Sequence, residues 1–315
     1  MIRPTRRRLL TVIGAATGMV LASSASSTGR TTTVRWRGNA LGAKAEMTLV
    51  HPDEAIAKKL IRLAVNEIER LENIFSLYRH HSEITRLNRD GYLDAPSPDL
   101  VTLLSTARQI SELTDGAFDI TVQPLWHLYA THFSEPGADP NGPPAAAIES
   151  ARRLVGYSAV DIAPSRIRLA RPGVAITLNG IAQGYITDRV ADLLRAHGIE
   201  RTLIDLGEIR ALGTRPDGRA WQVAIDGDFR KKPIGLVDRA IATSSPAGTA
   251  FDAVGNFHHL FDPATGQPSA NGLSPSVIAK SATAADACST AGAIMSKDRL
   301  ASLNDHHPDI NVLMA

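Results

Sequence analysis

Thr202-Leu203-Ile204-Asp205-Leu206 opens a run of strand signals with no helical period between them. Further strand-like stretches follow at 221–225, 236–242 and 257–261. A doubly wound parallel sheet would place a helix in each gap, so this run argues against one. Outward from it, a helix is predicted at 184–197, stopped by Gly198, and another at 283–295. A closing strand is predicted at 310–314. Toward the N-terminus, 43–50 alternates apolar and polar residues as a strand does. His51-Pro52-Asp53 then caps a helix with Ile56, Leu60, Leu63, Ile68, Leu71 and Phe75 on its buried face. Ser97-Pro98 opens a second helix with Leu100, Leu103, Leu104, Ala107 and Ile110 inside, ended by Asp115-Gly116. A surface loop at 135–144, a short helix at 145–155 and a hairpin of 167–169 with 174–178 complete the pattern. The reading is α+β: a single compact domain of mixed, largely antiparallel sheet with packed helices.

The chain has 315 residues, 43% hydrophobic and 21% charged, which excludes disordered, collagen-like and multi-span membrane classes. Its formal net charge of +2 misleads, because residues 1–25 hold Arg3, Arg6, Arg7 and Arg8 and no acid. Without those four, 30 basic residues face 32 acidic ones, so nothing in the body suggests a nucleic-acid surface. A single cysteine, Cys288, excludes an intrachain disulfide and Cys-based metal clusters.

Thr5-Arg6-Arg7-Arg8-Leu9-Leu10 sets paired arginines before an uncharged run at 9–22. That run is shorter than the roughly 20 apolar residues a bilayer span needs. The small residues Ala22-Ser23-Ser24-Ala25-Ser26 follow, suited to cleavage after Ala25. Residues 1–25 resemble a twin-arginine export signal, which implies a periplasmic protein, membrane-associated if the signal is kept. Residues 26–40 read as a linker, and 41–315 as the domain.

Several familiar catalytic motifs are missing. The chain has no G-x-S-x-G elbow, no phosphate-binding glycine loop of either common type, and no H-E-x-x-H. Four segments concentrate glycine, rings and oxygen-bearing side chains. Phe75-Ser76-Leu77-Tyr78-Arg79-His80-His81-Ser82-Glu83-Ile84 is either a solvated helix end or a loop offering a ring and a hydroxyl to a planar ligand. Asp115-Gly116-Ala117-Phe118-Asp119-Ile120-Thr121-Val122 reads as a turn and half-buried strand whose Asp119 needs a partner, backbone donor or ribose hydroxyl. Leu178-Asn179-Gly180-Ile181-Ala182-Gln183-Gly184-Tyr185 is either an ordinary strand-to-helix turn or a loop letting a phosphate approach. In Ser281-Ala282-Thr283-Ala284-Ala285-Asp286-Ala287-Cys288-Ser289-Thr290, Asp286 and Thr290 share one helix face among small neighbours. That pair suits Mg2+, a hard cation, unless Thr290 bonds its own helix and Asp286 is solvated.

Two further stretches join them: His258-His259-Leu260-Phe261-Asp262-Pro263-Ala264-Thr265-Gly266-Gln267-Pro268 and Ile204-Asp205-Leu206-Gly207-Glu208-Ile209-Arg210-Ala211-Leu212-Gly213. In this order and spacing, over about 41–295, the segments resemble the ApbE family of FAD:protein FMN transferases. The resemblance implies an enzyme that splits FAD at its pyrophosphate, attaches FMN to a Thr or Ser hydroxyl of a partner flavoprotein, and releases AMP. By resemblance, Asp286, Thr290 and the Gly180 carbonyl hold Mg2+, and Leu41, Tyr78, Ala117, Phe118, Asp119, Gln183 and Leu260 hold FAD. His259 is the candidate general base, since imidazole takes a proton near neutral pH; its plainer role is to bond the Asp262 turn. The expected acceptor is an exported flavoprotein.

The sequence departs from the family pattern in places. Leu41-Gly42-Ala43 stands for Met-Gly-Thr, Asn179 for a small residue, and Gln183 for a common Lys or Glu. Gly207-Glu208 is one residue shorter than the Gly-Gly-Asp turn, and Ser244-Ser245-Pro246 replaces Ser-Gly. The shortened Gly207 turn and Pro246 favour an exported FAD-binding protein without turnover; an FAD pyrophosphatase that uses water, which some relatives resemble, is the other alternative.

Overall fold

The computed structural model describes residues 10–12, 32–225 and 233–314. Of the expected leader, only Leu10–Val12 falls among these, as strand β1; the rest of it lies outside the described residues. In chain order there follow β2 (Thr32–Ala40), β3 (Ala43–His51), α1 (Glu54–Phe75), α2 (Glu83–Asp90), β4 (Tyr92–Asp94) and α3 (Pro98–Leu113). Next come α4 (Gln123–Ser134), α5 (Ala145–Arg152), β5 (Val160–Ala163), β6 (Arg166–Leu169) and α6 (Ala182–Ala196). The last part holds β7 (Thr202–Asp205), β8 (Ile209–Leu212), β9 (Trp221–Ile225), β10 (Ile234–Leu236), β11 (Ala240–Thr243), β12 (Pro275–Ala279), α7 (Ala282–Gly292), α8 (Lys297–His306) and β13 (Asn311–Met314).

Among the described residues, the main sheet has seven strands in the order β13-β12-β11-β8-β7-β3-β2, and every neighbouring pair is antiparallel. This is the α+β architecture read from the strand run at 202–242. Two small sheets, β1-β9-β10 and β4-β6-β5, flank it. Strands β7 and β8 are buried at every position because both faces are covered. Leu203, Ile209 and Ala211 pack with Trp221, Val223 and Leu236 on one side. Ile204 and Leu212 join the helices on the other.

Helices α1, α6 and α7 lie on that helical face. Helix α1 is long and amphipathic, and Asp53 accepts from the N–H groups of Ala55 and Ile56 at 2.7 and 3.1 Å. Such a cap contributes about 1 kcal/mol. Its buried stripe is Ala57, Leu60, Ile61, Ala64, Ile68, Leu71, Ile74 and Phe75, and a fully buried side chain of Leu or Phe size contributes about 1.5–3 kcal/mol. Ile56, expected inside, is exposed; Ala57 takes that place, because the stripe starts one residue later. Helix α7 is nearly all small residues: Ala282 and Ala285 pack on Ala240, Ala242 and Ala279, so its axis lies close to the sheet.

Five segments differ from expectation. Residues 236–242, read as one strand, belong to two: β10 ends at Leu236 in a small sheet and β11 begins at Ala240 in the main one, with Asp238 at a φ of 49° between them. Residues 32–40, read as linker, form an edge strand paired with β3 from Thr32–His51 to Ala40–Ala43. Residues 174–178 do not form a hairpin arm. Their backbone groups go elsewhere: Ile176 exchanges two 2.8 Å bonds with the Asn88 amide, and the Thr177 N–H donates to the Ile120 carbonyl. The hairpin partner of β6 is β5. At 257–261 only isolated bridges occur, from Ala250 to His258 and from Phe261 to Pro268. There Phe257 and Phe261 pack on Tyr129, and that ring cluster sets the chain's path. Lastly, 120–122 is a turn of 3-10 helix, because the Asp119 side chain caps it. Helices α2, α4 and α8 went unread in the sequence. Among the described residues, no helix is long and apolar enough to cross a membrane.

Candidate active site

A cavity of about 490 Å3 opens where the β2–β3 turn, the end of α1, the start of α6, α7 and the 243–260 loops converge. Cavities of about 300–1,000 Å3 take small molecules and cofactors. Its walls include Leu41, Tyr78, Phe118, Asp119, Gly180, Gln183, His259, Leu260, Asp286 and Thr290. The structure thus brings together every sequence-chosen residue but one. Ala117 is buried in the core instead, its N–H donating to the Thr114 carbonyl.

Helix α7 supplies two oxygen-bearing groups. Asp286 is 4% exposed, and its Oδ2 accepts from the backbone N–H of Gly184 at 3.0 Å. Thr290 Oγ1 lies 3.2 Å from Ser244 Oγ, which in turn bonds Ser289 Oγ at 2.8 Å. The alternative of a solvated Asp286 does not hold. A side chain on Gly180 would place its Cβ 2.8 Å from Thr290 Oγ1, so the Gly180 backbone abuts that hydroxyl only because it is glycine. Carboxylate, hydroxyl and peptide oxygen are the donors a hard divalent cation takes, so the residues fit such an ion. Among the described residues, no cluster of three or more His, Cys, Asp or Glu side chains is placed to hold a metal. Cys288 shares the helix, but burial pushes its thiol up to about 12, so it serves packing.

His259, also on the cavity wall, is held by a backbone carbonyl ten residues away. Its N–H and its ring Nδ1 both lie 3.1 Å from the Thr249 carbonyl oxygen. A carbonyl only accepts, so Nδ1 carries the hydrogen in the neutral ring and Nε2 the lone pair. The partner is therefore Thr249 and not the Asp262 turn. A Cβ on Gly248 would come 3.1 Å from His259 Cε1, so glycine there makes room for the ring. His258, its neighbour, points into the protein: Nε2 donates to the Ser269 carbonyl at 3.0 Å and Nδ1 accepts from the Leu260 N–H at 3.3 Å. Burial pushes its pKa down.

The remaining wall is more apolar. Leu41 and Gly42 both have positive φ, at 45° and 75°, and make the tight turn that swings Leu41 to the cavity. The Leu41 N–H donates to Glu72 Oε1 at 2.6 Å, and Glu72 Oε2 pairs with Arg79. Tyr78 is 68% exposed at the rim, while Phe118 and Leu260 are buried below it. Asp119 has a protein partner at each oxygen: Oδ1 accepts from the N–H and hydroxyl of Thr121 at 2.7 and 2.6 Å, and Oδ2 from the Tyr157 N–H at 2.8 Å. Burial raises its pKa, and these bonds pull against that rise. Gln183 Nε2 donates to the Leu206 carbonyl at 3.3 Å, packed beside Gly207, whose φ is 114°.

Sequence reading missed Glu72, Trp126, Thr177 and Thr249 as cavity residues. Glu72 carried no signal, since it lies on α1 with Glu67 and Glu69 and looks like a solvent-facing charge. Trp126 sits on the unread helix α4.

An α+β domain whose cavity is lined by an imidazole, a carboxylate and a hydroxyl holds the groups an enzyme uses to move a proton and to bind a divalent cation. The ApbE family profile matches residues 41–314, and the chain belongs to that family. It is 33% identical over 243 residues to an FAD:protein FMN transferase of Vibrio cholerae, covering 74% of this chain and 72% of that one. It is also 28% identical over 240 residues to an FAD:protein FMN transferase of Haemophilus influenzae, covering 71% and 69%. Among solved structures, the flavin transferase ApbE from Vibrio cholerae superposes with a TM-score of 0.77 at 28% identity, covering 90% of this chain and 94% of that one.

Proposed function

We propose that the protein is a Mg2+-dependent FAD:protein FMN transferase, exported by a twin-arginine signal to modify a partner flavoprotein in the periplasm. The observation that carries the reading is one cavity holding an oriented imidazole, an oxygen-donor cluster and an apolar wall with an exposed ring. Tyr78, Phe118, Leu260 and Leu41 would take the flavin end of FAD, burying its rings against apolar surface. Asp286, Thr290 and the Gly180 carbonyl would hold Mg2+, which when bound neutralises charge on diphosphate oxygens.

In the transfer, the acceptor hydroxyl oxygen of a Thr or Ser forms a bond to the FMN phosphorus. The bond from that phosphorus to the oxygen bridging to AMP breaks, and AMP leaves. His259 Nε2 takes the hydroxyl proton, with its Nδ1–H held by the Thr249 carbonyl. The developing imidazolium keeps that hydrogen bond, so the ring need not turn. Asp119, its oxygens committed to Thr121 and Tyr157, acts by holding the loop that carries Phe118.

The test is incubation of purified protein with FAD, Mg2+ and an exported flavoprotein. Covalent FMN on the acceptor with equimolar AMP is expected, and His259→Ala should abolish it. AMP and free FMN produced equally without acceptor would replace this reading with a pyrophosphatase. Retained FAD with no AMP would leave a binding protein. Export is tested by fusing residues 1–30 to a reporter and replacing Arg6 and Arg7 with Lys, which should retain it in the cytoplasm.

A further inference from the structure

Asp188 stands on α6, outside the cavity, and makes four hydrogen bonds to other elements. Its Oδ1 accepts from the Ala282 N–H at 2.8 Å and from the Arg210 guanidinium at 2.8 Å. Its Oδ2 accepts from the Thr283 N–H at 2.9 Å and from the Thr283 hydroxyl at 2.6 Å. The first N–H groups of a helix have no partner within it. Helix α7 therefore takes part of its N-terminal cap from a carboxylate on another helix, while Ser281 caps only the Ala284 N–H, at 3.1 Å. Arg210, on β8, also donates to the Lys280 carbonyl, so strand, helix and the entry to α7 meet at one largely buried ion pair, its side chains 11% and 14% exposed.

We propose that Asp188 is a positioning residue that sets where α7 holds Asp286 and Thr290 relative to Gly180. The inference rests on the reading of those three as the Mg2+ site. Its geometry is a two-point attachment. Asp188 fixes the first turn of α7, and one turn on the Gly184 N–H bonds Asp286 Oδ2. Between the two points the helices touch through backbone, because a Cβ on Gly184 would collide with Ala282 and Thr283. With both points made, α7 can neither slide nor tilt against α6, which follows directly on the loop carrying Gly180. Removing the first point leaves a helix pivoting on the ligand itself. The carboxylate at an N-terminus also matches the helix dipole, and Arg210 offsets its burial. Neither Asp188 nor Arg210 lines the cavity, so neither touches substrate.

Asp188→Asn keeps the shape but sets an amide NH2 where one oxygen accepted, donor against donor. In the full-length protein, Mg2+ affinity by titration calorimetry should fall about 10–100-fold, the usual effect of losing a group that orients a ligand. Transfer at low Mg2+ should fall in step and recover at high Mg2+, with KM for FAD unchanged. Amide exchange at Ala282 and Thr283 should speed up. Thr283→Val, which loses only the hydroxyl bond, should give the same pattern at a few-fold and stands in if Asp188→Asn does not fold. A lower melting temperature with wild-type Mg2+ affinity and kcat would overturn the proposal and leave Asp188 a stability residue. If the wild type takes up no Mg2+, the functional reading fails. The clamp is then judged by exchange alone, and unchanged rates at Ala282 and Thr283 overturn it.

Discussion

The backbone N–H of Gly184 reaches Asp286 Oδ2 at 3.0 Å across a separation of 102 residues, joining the start of one helix to the face of another. That bond makes Asp286 both a structural acceptor and a cavity wall. Asn keeps an acceptor of the same shape; Ala keeps none. Asp286→Asn is therefore expected to stay within about 1 kcal/mol of wild-type stability, whereas Asp286→Ala loses about 1–3 kcal/mol by orphaning the Gly184 N–H. Both should lose FMN transfer. Urea denaturation and in-gel flavin fluorescence of the acceptor check the two halves.

His259→Gln is expected to lower transfer about 100- to 10,000-fold, the usual contribution of a positioned base, with FAD affinity kept. Gly248→Ala should give a milder fall, because the new Cβ meets His259 Cε1 at 3.1 Å and turns the ring. Single-turnover rates with FAD fluorescence titration separate chemistry from binding. Equal losses of affinity and rate would move His259 from chemistry to packing.

Glu72 holds the Leu41 turn with one oxygen and Arg79 with the other. Glu72→Ala releases both, so KM for FAD should rise about ten-fold, the equivalent of roughly 1.4 kcal/mol, with kcat little changed. Steady-state kinetics over FAD concentration measures this. A fall in kcat alone would place Glu72 nearer the reacting phosphate than the flavin wall.

His258 is a base whose pKa burial holds below the ordinary 6.5. Between the folded and unfolded values the unfolded chain binds more protons, so stability rises with pH there. The stability from neutral, buried His258 is thus complete above about 6.5 and is lost as pH falls through the lower folded value. The melting temperature should drop between pH 7 and pH 5, and His258→Gln should flatten that drop. An identical slope in the variant would assign the acid sensitivity to other groups.

The helices with strong apolar periods and caps, α1, α3 and α6, were legible because their signals are local: Asp53, Ser97-Pro98 and Gly198 act within a turn of their own chain. The strands at 202–205 and 221–225 were legible from their apolar runs, but β8 between them was not, because Arg210 interrupts its run and the Asp188 that pairs with it lies on another element. The path of 174–178, misread as a hairpin arm, was not, because its backbone partners, Asn88 and Ile120, lie far away in sequence. The same holds for 257–261, where packing against Tyr129 replaces strand pairing.

Of the site, the sequence by itself determined which residue types are present and that Asp286 and Thr290 share a helix face, since helical periodicity is intrinsic to the chain. It determined the two glycines at 180 and 184 as well, without saying what approaches them. Only the tertiary structure decided that Thr290 fills the space beside Gly180, that His259 bonds Thr249 and not the Asp262 turn, that Ala117 is core, and that Glu72 faces the cavity. Each of those outcomes depends on which distant backbone or side chain arrives to satisfy a polar group or fill a space. That pairing is settled when α7 docks on α6 and the sheet, a contact between segments about 100 residues apart that no local pattern encodes.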